Sequence, residues 1–418
     1  MEPWSDRARN RVAAWQERAW GEIALELGLG WQPRAAYLQL NSGLPSEEFL
    51  AAERFIATLD PSMVERLRAG EGLADVEGVR RGHAEILESY KKRYFVDPPT
   101  EYEDPNLHSV VVAHLDALLP VLLNMPYELP AKPRVATVPT RSVHAWTRVV
   151  PGTDEAVMFF QHGLMLFLHQ FSVVLGLAVP FDWLDLPALS EPIQGGRDEA
   201  ENPTNAADVL AASLTAFVVE GNPRAADVPS PRGSSLATAS VLLRYMEIFI
   251  LSHEVMHLLL RHPPRPLHAP THVLRQQEFD ADDVGSSVAA GVAEDEGAGL
   301  AIGGWSADLA LGAFDLIERC VAYLSTGRMD APPSETHPLT TRRRQELLWA
   351  KPRELAGHDR VSDAALLKTL TISGARLIEK LWLATRPTLD QLRRCGIQPS
   401  PIWGRPQLQT KSGRRPNG

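Results

Sequence analysis

A short run of metal-binding residue types lies within an apolar part of the chain. His253, Glu254 and His257 form the segment His-Glu-Val-Met-His, and Glu254 is the only acidic or basic residue besides histidine within residues 248–260. On a helix, positions four apart share a face, so the two imidazoles can bind one metal ion while Glu254 points at its open coordination position. Titratable groups on an apolar helix are costly unless they are paired or metal-bound. The pattern therefore predicts a site for one Zn²⁺ per chain, of the kind that performs hydrolysis.

A second helix is expected to supply the third ligand. The metzincin pattern requires Gly at position 260 and His at position 263, but the chain has Leu260 and Pro263, which excludes that class. Glu278 and Asp282 lie four residues apart in a helix-forming segment, residues 273–290. Glu278 would complete the metal site, and Asp282 would accept a hydrogen bond from a ligand histidine and fix its tautomer.

Alternatives to this ligand set stay open. The acids between positions 278 and 283 could form an ordinary solvated helix face. His262, His268 and His272 are rival ligands in the segment between the two helices, although the proline-rich residues 263–266 are typical of an extended connector. Three small residues would allow the second helix to pack closely against the first: Ala281, Gly285 and Ser286.

The chain resembles the HtpX and CAAX-prenyl-protease family of gluzincin metallopeptidases over about residues 105–355. Downstream of the zinc motif, Thr336-His-Pro is similar to the family's Thr-His-Pro segment, with Arg343 six residues after His337. The family's usual membrane helices are missing, and its Asn-Ala-Phe strand has His144 in place of Asn. The upstream segments that follow the family's order of strand, strand, strand and helix are residues 133–139, 143–146, 156–160 and 163–168.

This resemblance implies an α+β, mostly α fold with a zincin-like (minigluzincin) core, in which a small β-sheet accompanies the active-site helix, flanked by helical N- and C-terminal regions. It also implies that His337 and Arg343 stabilise the oxyanion of a tetrahedral intermediate. His337 could instead be a turn residue before a helix, and Arg343 part of a solvated basic helix start. His144, Ala145 and Trp146 would form an edge strand that binds an extended substrate.

The ImmA/IrrE group of cytosolic regulatory metallopeptidases is similar as well, both in the wording of the zinc motif and in the later Glu278-Phe-Asp-Ala-Asp. Either resemblance implies that His253, His257 and Glu278 hold zinc and that bound water has its pKa lowered from about 15.7 towards about 7. Glu254 would act as the general base. The expected substrate is a polypeptide, or one specific repressor or partner. A non-proteolytic metal-binding scaffold is the alternative from a different functional class.

Composition is that of an ordinary globular protein. The 418 residues carry a net charge of -10, which argues against a nucleic-acid partner. Two cysteines and an N-terminus without the apolar core of a secretory signal favour a cytoplasmic location. The longest apolar region, residues 157–181, is interrupted by polar residues and falls short of the roughly 20 apolar residues that span a bilayer. No transmembrane segment is therefore predicted, and nothing indicates the oligomeric state.

The order of segments predicts four regions. These are an N-terminal helical region at 1–100, a metallopeptidase domain at 101–355 with an insertion at 181–232, C-terminal helices at 356–398 and a disordered tail at 399–418. Helical patterns lie at 8–28, 46–69, 75–94, 206–220, 273–290, 296–325, 338–355 and 360–385.

Overall fold

The computed structural model describes residues 4–26, 31–33, 100–126, 128–140, 143–179, 206–222, 225–229, 231, 233–262, 270–328, 340–357 and 360–403. This part of the chain is mostly helical and includes one mixed sheet of three strands. The predicted α+β, mostly α class is confirmed at that level. The helices expected at 46–69 and 75–94, and the candidate residues His268 and His337, lie outside the described residues.

The sheet consists of β1 (Lys132–Val138), β2 (Ala145–Val149) and β3 (Glu155–Gln161), in the order β1-β3-β2. The β1 strand is parallel to β3, whereas β2 is antiparallel to it. Every residue of β3 is buried, because helices cover both faces of the sheet. Helix α1 (Asp6–Glu26) packs on one face, and the helix that carries the zinc motif contacts the other.

Eight further helices follow α1 in the described part of the chain. A π-helix, Thr215–Val219, directly follows the helix Ala206–Leu214, so the helix predicted at 206–220 is present with a wider final turn. The helices are α2 (Pro105–Leu123), α3 (His162–Ala178), α4 (Ala206–Leu214), α5 (Gly233–Leu259), α6 (Thr271–Asp295), α7 (Leu300–Thr326), α8 (Thr340–Gly357) and α9 (Val361–Arg394).

Helix α5 lies at the centre of the main hydrophobic core. Its apolar residues are distributed around the whole circumference rather than along one stripe, which is the pattern of a helix that is buried on all sides. Helices α2, α3, α6 and α7 pack around it, and strands β2 and β3 contact it as well. The zinc motif near its C-terminal end is therefore held by a helix that other elements surround.

Two helices are long and apolar enough to cross a membrane by length and composition alone, although the sequence analysis considered only residues 157–181 in this respect. They are Ser235–Leu259 within α5 and Leu300–Thr326, which is α7. In each helix the most apolar part is largely inside the molecule, 72% buried in the first and 78% in the second. Burial of this kind is typical of core helices.

The start of the tail is ordered, unlike the predicted disorder at 399–418. Ser400 donates its backbone N–H to the carbonyl of Val218 at 2.8 Å. A 3₁₀ turn, Pro401–Trp403, follows, and the indole of Trp403 packs on Phe217 and donates to its carbonyl at 3.2 Å. Trp403 is a partly buried aromatic residue that packs against the main hydrophobic core, a contact that the tail's composition did not predict. Residues 404–418 lie outside the described part.

Candidate metal centre

The zinc motif and the predicted third ligand lie where α5 and α6 pack against each other. A Cβ atom on Gly285 of α6 would be 3.0 Å from the backbone nitrogen of His253 and 3.1 Å from its Cα. A larger residue at this position would require the two backbones to move apart by a few tenths of an ångström. The small residues of the second helix therefore bring it against the first as predicted, and Glu278, two turns earlier, lies beside the motif.

Three ligand atoms converge at this point. The Nε2 atoms of His253 and His257 are 3.1 Å apart. Of the Glu278 carboxylate, Oε2 lies 3.6 Å from Nε2 of His253 and Oε1 lies 3.8 Å from Nε2 of His257. Atoms bound to a tetrahedral Zn²⁺ at about 2.0–2.1 Å are about 3.3 Å from one another. These residues also form the single group in the described part of the chain whose spacing could hold a metal ion. Two imidazoles and one carboxylate are a donor set that suits zinc.

Asp282 lies behind the first ligand histidine. Its Oδ1 is 2.9 Å from Nδ1 of His253, although the ring N–H direction is not that of a well-aligned hydrogen bond. Burial opposes a charge on His253, but the carboxylates of Asp282 and Glu278 outweigh it and raise the pKa of the imidazole to about 9. The acid on the next turn of α6 is thus placed to orient this ring, as the sequence predicts.

Arg343 of α8 is bound to the same aspartate. Its Nε and Nη2 atoms donate to the two carboxylate oxygens of Asp282, both at 2.6 Å, and its Nη1 lies 3.8 Å from Glu278. Burial disfavours the guanidinium charge, yet the Asp282 carboxylate raises the pKa of Arg343, while Arg343 lowers that of Asp282 against the effect of burial. Arg343 therefore reaches the metal centre, and its bidentate contact is with a protein carboxylate. Its predicted contact with an oxyanion stays a prediction.

His262 has a place that the sequence analysis did not foresee. Considered there only as a rival ligand, it contacts the second ligand histidine, with 2.9 Å between its Nδ1 and Nδ1 of His257. Burial lowers the pKa of His262, and the nearby acids Asp280 and Glu278 oppose that shift. The other described rival, His272, is exposed at the start of α6.

Thr147 is a further site residue that the sequence analysis missed. Its hydroxyl lies 3.0 Å from the carboxylate oxygen Oε2 of Glu254 and 3.0 Å from the Glu254 carbonyl, so it bridges β2 to α5. Glu254 itself is only 5% exposed. The signal was the alternation of β2: Ala145 faces the helical core, and period two puts Thr147 on the same face.

The strand predicted at residues 144–146 corresponds to β2, which begins at Ala145, so His144 lies just before it. The side chains of these three residues have separate environments. Ala145 is buried in the main core. Trp146 stacks on Phe159 of β3 at 5.2 Å and on His144 at 5.9 Å, on the face covered by α1. Within the described residues β2 pairs only with β3, which leaves β2 at the edge of the sheet.

Comparisons of the chain with protein-family models, with curated proteins and with solved structures found no match. The resemblances drawn from short motifs stay predictions, and a function is inferred from the geometry of the metal centre.

Proposed function

We propose that the protein is a zinc-dependent endopeptidase that cleaves polypeptides in the cytoplasm, with a zincin-like (minigluzincin) core. The observation that carries the proposal is the convergence of His253, His257 and Glu278 on one point, with Glu254 adjacent in sequence to the first ligand. The buried carboxylate of Glu254 within the apolar segment 248–260 supports a catalytic rather than a structural role, because a metal-binding scaffold does not require it.

The chain supplies the groups that peptide hydrolysis requires. Zinc, when bound to these three ligands, would provide a water whose pKa is lowered to about 7. Glu254 would accept the proton of that water as the water attacks a peptide carbonyl, and would then donate it to the departing amine. Thr147 would hold the Glu254 carboxylate through its hydroxyl. His253, oriented by Asp282, and Glu278 would keep the ligand geometry fixed during the reaction.

The position of β2 supports a polypeptide as the substrate. An edge strand has backbone N–H and carbonyl groups that can pair with an added extended peptide. Because Thr147 of this strand contacts Glu254, a peptide paired with β2 would run beside the metal centre. The proposal therefore includes main-chain recognition of an extended segment.

The test combines zinc content with cleavage of unfolded casein by the full-length protein. We expect Glu254→Gln to retain zinc and to lose cleavage by at least about 100-fold, since general acid–base catalysis contributes about 10²–10⁴-fold. Glu278→Gln should lose zinc and cleavage together. Asp295→Asn, at an exposed position of the same helix, is the matched control and should resemble the wild type.

Two results would contradict the proposal. Equal cleavage by the wild type and Glu254→Gln would exclude Glu254 as the base. Zinc bound by a wild type that cleaves none of several unfolded substrates would instead support the non-proteolytic scaffold.

A further inference from the structure

The end of helix α5 has an uncommon backbone. Arg261 has φ of 52° and is the one non-glycine residue with positive φ in the described part of the chain. The left-handed conformation costs an ordinary L-residue about 1–2 kcal/mol. Such strain at a defined position indicates that the surrounding structure requires it.

Two hydrogen bonds show what the left-handed residue achieves. The N–H of Arg261 donates to the carbonyl of Leu258 at 3.1 Å, and the N–H of His262 donates to the carbonyl of His257 at 3.0 Å. This pair of bonds is the Schellman motif, which turns the chain back over the last helical turn. In most such motifs the returning residue makes an apolar contact with the helix. Here the two residues brought together are histidines, and one of them is a candidate zinc ligand.

The side chains meet through their Nδ1 atoms, which are 2.9 Å apart, with the rings inclined at 63°. The other ring nitrogen of His257, Nε2, faces His253 and Glu278. A neutral imidazole has one nitrogen with a hydrogen and one with a free lone pair. If the lone pair of Nε2 is to bind a metal, Nδ1 of His257 carries the hydrogen, and Nδ1 of His262 must accept it.

We propose that His262 is a positioning residue for the metal centre, which fixes the tautomer and the ring orientation of His257. It does for the second ligand histidine what Asp282 does for the first, with a neutral imidazole in place of a carboxylate. The inference rests on the proposed metal site and adds a residue to it. Partners of this kind typically change metal affinity by about 10–100-fold when they are removed.

The experiment measures zinc affinity of the full-length protein by competition with a chromogenic chelator. We expect His262→Leu to bind zinc about 10–100-fold more weakly than the wild type. His262→Asn should recover most of this loss, because its side-chain oxygen can occupy the place of Nδ1 and accept the same hydrogen. His272→Leu, which removes an exposed histidine at the start of the next helix, should leave the affinity unchanged.

A second readout separates a positioning residue from a ligand. The visible absorption of the cobalt(II)-substituted protein reports coordination number, and it should be the same in His262→Leu and the wild type. A changed coordination number would make His262 a ligand and overturn the inference. Equal zinc affinity of His262→Leu and a zinc-binding wild type would overturn this inference alone. A wild type that binds no zinc would overturn the proposed function as well.

Discussion

At the residue scale, the two ligand histidines differ in what lies behind them. Asp282 lies behind His253 and accepts hydrogen bonds from Nε and Nη2 of Arg343. His257 is backed by His262. The charged pair of Asp282 and Arg343 is buried. It is stable only while both partners are present, because an uncompensated buried charge is costly.

Replacement of Asp282 by Asn should therefore affect stability and metal binding together. Without the carboxylate, the buried guanidinium of Arg343 loses its main partner, and we expect a loss of about 3–5 kcal/mol in the free energy of unfolding. Zinc affinity should fall by about 10–100-fold. Urea unfolding in the presence of a chelator measures the first effect and chelator competition the second. An unchanged unfolding midpoint would contradict the role assigned to the pair.

Thr147 is expected to matter for turnover and not for metal binding. Thr147→Val removes the hydroxyl that lies 3.0 Å from the Glu254 carboxylate while it keeps the shape of the side chain. We expect kcat to fall about 10-fold, the equivalent of one hydrogen bond to a charged group, with zinc content unchanged. Thr147→Ser keeps the hydroxyl and serves as the control. Equal kcat values for the valine and serine variants would show that the contact is incidental.

The types and spacing of these residues predicted part of the site. Positions four apart put His253 and His257 on one helix face and Glu278 and Asp282 on another, and the resemblance to gluzincins identified the second pair as the third ligand and its supporting acid. The contacts of Thr147 and His262 could not be predicted in the same way. The first depends on the packing of a strand against α5, and the second on a left-handed residue that is arginine rather than the usual glycine.

At the element scale, the separation of α5 and α6 sets the geometry of the ligands. Their closest approach is at Gly285, against the backbone of His253. Since His253 is on one helix and Glu278 on the other, an increase in the spacing of the helices increases the distance between ligand atoms directly.

Gly285→Ala should therefore weaken the site, although alanine is the better helix former by about 0.5–1 kcal/mol. The added Cβ would be 3.0 Å from backbone, which cannot rotate away, and overpacking of this kind costs about 1–3 kcal/mol. Gly291→Ala on the same helix is the matched control, because its Cβ would meet only a side-chain methyl of Val121 at 3.3 Å. Thermal unfolding and zinc affinity should decrease for the first variant only. Equal behaviour of the two variants would mean that the helix spacing is not limiting.

Most elements followed from periodicity, whereas their arrangement did not. The predicted helices at 8–28 and 360–385 correspond to α1 and α9, and α9 continues to Arg394. Two strands separated by a turn were expected from residues 143–160. Strand β1 pairs in parallel with β3 and with no other described strand, although β2 is its neighbour in sequence. This pairing depends on long-range packing, which a local sequence pattern does not contain.

At the scale of the whole molecule, a buried carboxyl group joins distant elements. Glu103, just before α2, accepts hydrogen bonds from Gln16 of α1 and from the backbone and hydroxyl of Thr137 on β1. Burial raises the pKa of Glu103 to about 8, more than the hydrogen bonds from Thr137 lower it. The folded protein therefore holds a proton at Glu103 under conditions in which the unfolded chain does not.

The sign of the resulting pH dependence follows from this shift. Because the folded state binds more protons than the unfolded state between the ordinary pKa of 4.5 and about 8, stability should fall as pH rises through that window. Burial lowers the pKa of His108 to about 4 and of His169 to about 3. Because these histidines stay neutral in the folded protein, the free energy of unfolding falls as pH falls below about 6.5. The range from pH 6.5 to 8 thus isolates Glu103 from them.

Glu103→Gln should reduce this slope. The remainder comes from His253, whose pKa is raised to about 9, so that its contribution to stability also falls as pH rises above 6.5. Urea unfolding in the presence of a chelator, between pH 6.5 and 8, measures the free energy of unfolding of variant and wild type. The difference should increase in favour of the glutamine variant as pH rises. Glu128→Gln, at an exposed position, is the control and should retain the wild-type slope. A slope in Glu103→Gln equal to that of the wild type would place the titrating group elsewhere.

Under the proposed function, the location of β2 at the edge of the sheet also determines which conformational state of a target protein would react. A chain segment that joins this edge must first free its own amide and carbonyl groups, and those in a helix or an interior strand are already engaged. The rate of cleavage of a folded protein would therefore depend on how often one of its segments unfolds locally, and not on how well the side chains of that segment fit the binding site. We would then expect cleavage of many different sequences in unfolded chains and little cleavage of well-folded proteins.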